Sequence, residues 1–600
     1  MLNKYLVLKE HDGNKIGTVI SLTPEIGTKR LKMGLVRMIE DGGARHVDVK
    51  RSDDGGIDFY SRNNGESVIK VTSDGVRGED VSEIVNNINS LQNNINSLQA
   101  TLANNRITTR SKVFGIEFDI TNNNPACTRI ADAAGLKNDF AIGSTFQLNG
   151  GTNDFDSIFP WCDIRLCNLS IVNGKKVITY EGETGFARDG SNGNVMVEVP
   201  KFYSMRERIG NIERWLITGE PKSGFSVEPA FLVDGKELDF VYVGAYNAST
   251  ETGTGTGVFS YTDSKPKVMT KLSDWITAFN AAGYNPYDFS IFLMLQKLVT
   301  IEFATRNVKQ YMGGIGAFGY SNSGYDVSNT AEGNVVVVPN ASSIGRFNNL
   351  RVGHQIGVAA SGSIANAILN HRTITDIVDD VANNTKTITF DGPALNIVAG
   401  TSKVFMMYQN NGRTDALTYH TAMESGENFT GAIKYRGIEN PWGNVWEQCA
   451  GIRLKELQYY YTFDPAKYAD VSAADWDVLT YPAPNQPYLY DDGQNRAWIV
   501  GQGFDVNDRL INLPTIVGAT NGGGSDKYFA GAFYSQYDKD RQGNNLNTTI
   551  EYISVVGGAW DHYLGGGPFT IRMFIQADNK EWLYGNRMIY RSSVVAGDEQ

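Results

Sequence analysis

A seven-residue segment is repeated without change near the N-terminal end of the chain. The sequence Asn-Asn-Ile-Asn-Ser-Leu-Gln occupies residues 86–92 and again residues 93–99. Apolar side chains recur here at alternating intervals of four and three residues, at Ile84, Ile88, Leu91, Ile95, Leu98 and Leu102. This heptad spacing places one apolar stripe along an α-helix. We therefore expect a short coiled coil over residues 81–105, with a single amphipathic helix packed on its own domain as the alternative.

The regions on either side of this segment differ in character. Residues 1–80 contain short alternating segments separated by turn signals such as Asp41-Gly42-Gly43, which predicts a small β domain with an attachment role. From residue 112 onward, strand-like runs alternate with glycine-rich loops, and a buried helix is expected at about 288–310. The strand-like runs that stand out are 112–120, 195–203, 240–243, 335–338 and 385–390.

No strong internal boundary is visible after residue 112. We divide the remainder into a first part at 112–333, a β-rich insertion at 334–405, and a C-terminal part at 406–600 that holds most of the tryptophans. Strands and long loops dominate, and helices are interspersed. The expected fold class is therefore α+β.

Composition and charge exclude several classes of function. The net charge is −12 and no run of Lys or Arg exists, so nucleic-acid binding is not expected. The most apolar stretch, 289–304, is shorter than the roughly 20 residues that cross a membrane, so no membrane insertion is expected. The four cysteines are too few for a disulfide framework and are expected to be buried free thiols rather than zinc ligands. Neither a metal nor a cofactor is predicted.

The usual motifs of enzymes are missing from the chain. It contains no Gly-x-Ser-x-Gly elbow, no phosphate-binding loop of the Walker type and no His-Glu-x-x-His. We therefore predict that the protein is not an enzyme. Because carboxylates are plentiful, an acid pair for sugar cleavage stays open as an alternative.

Two segments of the C-terminal part combine glycines with large aromatic residues. The first, 435–447, contains Gly-Asn-Val-Trp-Glu and is typical of a core-forming turn, with ligand binding as the alternative. In the second, 557–569, paired glycines flank a varied block of polar and aromatic side chains. Such a block suits a recognition loop, because Tyr and Trp give contact area at a low cost in entropy. An ordinary surface loop is the alternative.

These segments, in this order, resemble tail-fibre and minor tail proteins of bacteriophages and prophages. The resemblance begins at Val113-Phe114-Gly115-Ile116 and continues through 194–202, 240–246 and 304–307. Gly-Asn-Val-Trp-Glu, the later Gly-Gly-x-Trp and the final Gly-Asn-Arg resemble the C-type-lectin-like fold. That fold is shared with formylglycine-generating enzymes and with the variable proteins of diversity-generating retroelements.

The resemblance implies roles for particular residues. The fold-defining residues would be Trp442, Gly443, Asn444, Trp446, Gly557, Gly558, Trp560, Gly585 and Arg587. The exposed, receptor-binding residues would be Asp561, His562, Tyr563, Leu564, Phe569, Arg572, Phe574, Gln576, Trp582 and Tyr584. Retroelement-driven diversification of the second set is a hypothesis. No cysteine follows Cys449, which argues against formylglycine chemistry, and the calcium-dependent sugar motif of animal lectins is absent.

We therefore expect a phage tail-fibre adhesin, located in the virion after synthesis in the host cytoplasm. Its partners would be a host cell-surface glycan or protein and, through the N-terminus, tail or baseplate proteins. Fibres of this kind are usually trimers, whereas Ile at position a and Leu at position d favour two strands, so a trimer is expected with a dimer as the alternative. The alternative functions are a capsule-degrading tailspike and a purely structural tail protein.

Overall fold

The computed structural model divides the chain into two compact units, 1–104 and 105–600. It describes residues 3–7, 19–22, 36–39, 47–51, 57–61, 67–72, 75–77, 87–96, 109–140, 152–173, 175–250, 257–316, 324–339, 350–360, 364–417, 420–424, 431–485, 496–518, 527–529, 531–535, 549–560 and 566–591. Since residues 105–600 form a single unit, the divisions expected at 333 and 405 do not separate compact bodies.

The N-terminal unit contains two antiparallel sheets of short strands. Its strands are Asn3–Val7 (β1), Val19–Leu22 (β2), Val36–Ile39 (β3), Val47–Arg51 (β4), Ile57–Ser61 (β5), Ser67–Thr72 (β6) and Gly75–Arg77 (β7). The first sheet has the order β2-β1-β3 and the second the order β4-β5-β6-β7. All the elements described within residues 1–80 are strands, and the small β attachment domain expected there stays a prediction.

The heptad segment contains a described α-helix at residues 87–96 (α1). Its apolar side chains Ile88, Leu91 and Ile95 are 58%, 61% and 46% exposed. Ten residues make about three turns, or about 15 Å of helix. Nothing in the described part of the chain covers these side chains, and the rest of 81–105 lies outside that part. The expected coiled coil is therefore not an element of the observed fold.

The larger unit is built mainly from strands. Those up to residue 286 are Val113–Asp119 (β8), Thr128–Ala131 (β9), Arg165–Val172 (β10), Lys175–Tyr180 (β11), Asn194–Pro200 (β12), Tyr203–Ile209 (β13), Ile212–Thr218 (β14), Ser226–Val227 (β15), Leu232–Val233 (β16), Lys236–Glu237 (β17), Phe240–Gly244 (β18) and Asn285–Pro286 (β19). Those from 325 to 406 are Tyr325–Asp326 (β20), Ala331–Gly333 (β21), Val335–Pro339 (β22), Gln355–Ala359 (β23), His371–Asp380 (β24), Thr385–Phe390 (β25), Leu395–Ile397 (β26) and Lys403–Met406 (β27).

The remaining strands lie in the C-terminal part. They are Thr421–Met423 (β28), Ile433–Tyr435 (β29), Ile438–Glu439 (β30), Trp446–Lys455 (β31), Gln458–Tyr461 (β32), Asp477–Pro482 (β33), Arg496–Gln502 (β34), Pro514–Gly518 (β35), Ala532–Ser535 (β36), Tyr552–Val556 (β37), Ile571–Ile575 (β38), Tyr584–Gly585 (β39) and Met588–Tyr590 (β40). The α-helices described in this unit are Leu272–Ala281 (α2), Phe289–Phe303 (α3) and Ile364–Leu369 (α4). Short 3₁₀ turns occur at Asp154–Ser157, Trp161–Asp163, Pro229–Phe231, Val308–Gln310 and Pro465–Lys467.

Four larger sheets organise this unit. Their strand orders are β15-β13-β14-β8-β9, β11-β10-β12-β18-β40-β19, β20-β27-β23-β24-β25-β22 and β33-β32-β31-β37-β38-β36-β34-β35, with β39 pairing β31. Smaller sheets are β16-β17, β21-β26 and β28-β29-β30. The third sheet contains most of the insertion expected at 334–405 and begins slightly earlier, at Tyr325.

Helix α3 passes through the core of the larger unit, and all its residues are buried. Asp288 caps its N-terminus by accepting hydrogen bonds from the backbone N–H groups of Ser290 and Ile291. Ala304 ends the helix in the left-handed conformation, with φ +49°. The sequence prediction of a buried helix here is confirmed, although the helix stops before the expected limit of about residue 310.

The expected α+β class is wrong, because the protein is mainly β. Many segments that read as irregular loops form short antiparallel pairs, such as β28 with β29 and β29 with β30. Strands of two to four residues are too short to produce a clear alternation of apolar and polar residues. The strand content predicted from the sequence was therefore too low, and the few helices led to the wrong fold class.

Candidate functional site

The Gly-Asn-Val-Trp-Glu segment forms a buried turn that leads into β31. Asn444 is fully buried, and its Oδ1 accepts a hydrogen bond from the backbone N–H of Gln409 at 2.7 Å. Its Nδ2 donates to the carbonyl of Gln409 at 3.1 Å and to Oδ1 of Asn247 at 3.3 Å. An asparagine side chain is suited to this position because it carries both a donor and an acceptor. The turn therefore holds the chain that follows β27 against the core.

Arg587 connects this turn to the end of the chain. Its Nε donates to Oε1 of Glu447 at 3.1 Å, and both residues are almost fully buried. Its Nη2 donates to the backbone carbonyls of Glu439 and Asn440, at 2.9 and 3.1 Å. Oε1 of Glu447 also accepts from Nδ2 of Asn247 at 2.6 Å. The charge of Arg587 is thus compensated inside the core, which fixes the segment before β40.

The paired glycines lie where two backbones approach each other closely. A Cβ atom on Gly558 would lie 2.6 Å from Cα of Gly566, and both Gly557 and Gly558 have φ +87°. Only glycine takes this conformation without strain at such a separation. Trp560 follows them, buried to 1% exposure, with its Nε1 donating to the carbonyl of Met406 at 3.0 Å. The backbone geometry therefore holds the two ends of the 558–566 segment together.

The ten expected receptor-binding residues fall into three groups: some lie outside the described residues, some are buried, and some are partly or fully exposed. Asp561, His562, Tyr563 and Leu564 lie outside the described residues. Phe569 and Tyr584 are each only 1% exposed, so the expectation that they are exposed is wrong. Phe569 packs against Phe529, and Tyr584 pairs with Trp446 between β39 and β31. The partly or fully exposed remainder comprises Arg572, Phe574, Gln576 and Trp582.

Strand β38 brings three of these residues to one side of the nine-stranded sheet. Along β38 the burial alternates, with Ile571, Met573 and Ile575 facing inward. Because successive side chains of a strand point to opposite faces, residues 572 and 574 face outward together. Gln576 directly follows the strand, with the same spacing, and is exposed. We call Arg572, Phe574 and Gln576 the β38 face.

Arg572 is held on this face by aromatic rings. Its guanidinium carbon lies 4.3 Å from the ring centroid of Phe574 and 5.9 Å from that of Tyr584. Such cation–π contacts are worth about 0.5–1 kcal/mol at partly exposed positions. Burial raises the pKa of Glu581, and the nearby charge of Arg572 partly opposes that rise. No salt bridge holds the guanidinium among the described residues, so it is positioned but still has donors to offer.

A row of ring contacts runs beside the β38 face. The ring centroids of Trp582 and Trp560 are 5.0 Å apart, and those of Trp560 and Tyr408 are 5.4 Å apart. His371 continues the row at 4.8 Å from Tyr408. Sequence reasoning singled out the two tryptophans but not Tyr408 or His371, since these lie about 150 and 190 positions earlier than Trp560 and no motif marks them. A local pattern cannot reveal such distant partners.

The described residues show neither a group of metal ligands nor a reactive thiol that would indicate a second site. The described ranges contain no group of three or more His, Cys, Asp or Glu side chains that could hold a metal ion. All four cysteines are unpaired, and burial raises the pKa of the Cys127 and Cys167 thiols to about 12. Among helices of the described ranges, none is both long and apolar enough to cross a membrane.

Comparison with known proteins does not assign the chain to a family. No family model matches the sequence, and no curated protein matches it significantly.

Proposed function

We propose that this protein is a bacteriophage tail-fibre adhesin that binds a host cell-surface receptor without chemical change. The β38 face would contact the receptor, and the proposal also assigns this role to residues 561–564, which lie outside the described residues. The observation that carries the proposal is the partly exposed Arg572, which stacks on Phe574 and has no salt bridge among the described residues. Arginine and aromatic side chains held rigidly at a surface are the residues that dominate binding energy in protein interfaces.

The position of these residues on a strand supports the proposal. Strand β38 lies between β37 and β36 in the sheet, so its backbone is hydrogen-bonded on both sides. A binding group on such an element loses little conformational entropy when a receptor binds. The proposal includes attachment to the tail through the N-terminal unit and assembly as a trimer in the virion. Several identical heads would raise the avidity of a weak single site.

The test is binding of the fluorescently labelled full-length chain to candidate host cells. We expect the parent to coat the cells of its host, and a variant combining Arg572→Gln with Gln576→Ala to lose at least tenfold in apparent affinity. The matched control is Lys222→Gln, which removes one positive charge from an exposed side chain outside the face. If the double variant and the control coat the cells as the parent does, the β38 face is not the receptor site.

A further inference from the structure

Strand β40 is inserted between two strands that come much earlier in the chain. In the six-stranded sheet it lies between β18 and β19. Tyr590 is paired with Tyr242 of β18, and Met588 with Pro286 of β19. The preceding strand β39 pairs with β31 of the nine-stranded sheet. Residues 584–591, which we call the closing segment, therefore link two large sheets.

The closing segment is buried, and its polar side chains are matched to distant parts of the chain. Asn586 and Ile589 are fully buried, and Arg587 is 1% exposed. Oδ1 of Asn586 accepts from the backbone N–H of Tyr287 at 2.9 Å, and its Nδ2 donates to the carbonyl of Gln448 at 3.0 Å. These partners lie 299 and 138 positions before it. The segment thus fills a cleft, the closing cleft, with walls formed by β18, β19, the start of α3 and β31.

Two carboxylates of the closing cleft pair with two arginines of the segment. Nε of Arg587 donates to Oε1 of Glu447 at 3.1 Å, and Nη1 of Arg591 donates to Oδ2 of Asp288 at 2.6 Å. Both carboxylates lie along β31, since Glu447 belongs to it and Asp288 forms a β-bridge with Ala450. Both are almost completely buried. A buried carboxylate is costly without a cation, so the cleft is matched to a basic segment.

The walls of the closing cleft are held by contacts that do not involve the closing segment. Strand β18 pairs with β12 along its other edge, and β31 pairs with β37. The backbone N–H of Ala450 donates to the carbonyl of Tyr287 at 2.9 Å, which ties the chain after β19 to β31. Oδ1 of Asp288 caps α3, whereas its Oδ2 receives Arg591. The cleft can therefore form before the segment occupies it.

We propose that the closing cleft is a peptide-binding groove and that the closing segment enters it as a separate, late step of folding. A chain is synthesised from its N-terminus, so β18, β19, α3 and β31 are made before the segment. The partner that fits is an extended peptide with two cations four positions apart and apolar residues between them, which is the sequence Arg587-Met588-Ile589-Tyr590-Arg591. The segment should therefore bind the cleft even when it is not covalently attached. This inference does not depend on receptor binding.

The test uses the full-length chain with a recognition site for a sequence-specific protease inserted after residue 578. This position lies in an exposed turn, in which the backbone N–H of Asn579 donates to the carbonyl of Gln576. After cleavage, only non-covalent contacts hold the closing segment. We expect size-exclusion chromatography to show it bound in buffer and released at a urea concentration at which circular dichroism still shows a folded remainder. Release only together with unfolding of the remainder would overturn the inference.

Synthetic peptides then measure the specificity of the emptied cleft. After removal of the urea, a labelled peptide with the sequence of residues 584–591 should bind the cleaved chain, as measured by fluorescence anisotropy. The matched control peptide carries Arg587→Gln and Arg591→Gln and keeps the length and the apolar residues. We expect its affinity to be at least tenfold lower, because it cannot pair with the two carboxylates. Equal affinity of the two peptides, or no binding of either, would refute the groove.

Hydrogen exchange in the uncut chain supplies the test if the inserted site prevents folding. A segment that docks separately should also open separately. Arg591→Gln should therefore accelerate amide exchange of residues 588–590 at least tenfold and leave that of β12 unchanged. The control Arg214→Gln, at a partly exposed position of another sheet, should change neither. If Arg591→Gln accelerates exchange equally in the segment and in β12, or in neither, the segment does not dock as a separate step.

Discussion

Replacing Glu302 with Gln tests how strongly the core depends on its buried ion pairs. Glu302 lies on α3, fully buried, and its carboxylate accepts four hydrogen bonds. Oε1 accepts from Nη2 of Arg436 at 2.5 Å and from Nδ2 of Asn153 at 2.7 Å. Oε2 accepts from the hydroxyl of Tyr435 at 2.9 Å and from Nε of Arg436 at 3.2 Å. The substitution keeps the shape of the side chain and removes its charge.

The expected loss can be worked out from this geometry. The four groups that contact the Glu302 carboxylate all donate hydrogen bonds, and Arg436 donates to both oxygens. In Glu302→Gln the amide NH₂ would take the place of one of these oxygens. In either orientation of the amide, its NH₂ would therefore face a donor of Arg436. Arg436 would keep a salt bridge to Asp156 at 2.5 Å, but Asp156 is 33% exposed and cannot replace a buried partner. Breaking a buried pair in this way costs about 3–5 kcal/mol. We expect the free energy of unfolding to fall by that amount.

The assay is urea-induced unfolding followed by tryptophan fluorescence, in which Trp161 reports on this region through its hydrogen bond to the Leu298 carbonyl of α3. The control is Asp239→Asn, because Asp239 is 65% exposed in its salt bridge with Lys201. An exposed pair contributes about 0–1 kcal/mol, so the control should unfold almost as the parent does. If Glu302→Gln costs no more than the control, the argument that buried charges hold this core is refuted.

Two further changes test the surroundings of the Gly-Asn-Val-Trp-Glu turn. Burial raises the pKa of Glu439 from 4.5 to about 7. The unfolded chain therefore loses this proton at a lower pH than the folded chain, and ionisation opposes folding. The free energy of unfolding should fall by up to about 3 kcal/mol as the pH rises from about 4.5 to about 7. Urea titrations at several pH values should show that Glu439→Gln removes this dependence, and an unchanged slope would contradict it. At Gly443, with φ +79°, a Cβ atom would lie 2.7 Å from the carbonyl oxygen of Ile315, so Gly443→Ala should lower stability by more than about 2 kcal/mol. Gly333→Ala, where nothing lies within 4 Å, should change it by less than about 1 kcal/mol in the same urea assay, and equal losses would refute the steric argument.

The sequence was most informative where a single element carried its own pattern. The largely apolar run at 289–304 predicted α3, and the valine run at 335–338 predicted β22. The partners of these elements could not be predicted, because they are distant in sequence. Lys297 and Glu302 interrupt the apolar run, and their partners Glu228 and Arg436 lie 69 and 134 positions away. Only the folded chain shows that these charges are compensated.

The candidate site shows the same limit. The sequence drew attention to residues 572, 574 and 576, and their equal spacing already corresponds to one face of a strand. It also included Phe569 and Tyr584, which the structure buries against Phe529 and beside Trp446. Aromatic residues in a glycine-rich segment suit both a surface loop and a core, so composition alone could not separate these two environments.

The larger unit compensates its buried cations in two ways. Arg436 and Arg587 each have a carboxylate beside them. Lys434 and Arg306 form no salt bridge among the described residues and donate instead to backbone carbonyls, Nζ of Lys434 to Thr414 at 3.4 Å and Nη2 of Arg306 to Asn124 at 2.6 Å. Removing the carboxylate of a buried pair leaves the cation uncompensated and costs about 3–5 kcal/mol, whereas a backbone carbonyl remains whatever side chain its residue carries. The sensitivity of this core to single substitutions is therefore concentrated in the carboxylates that pair with Arg436 and Arg587.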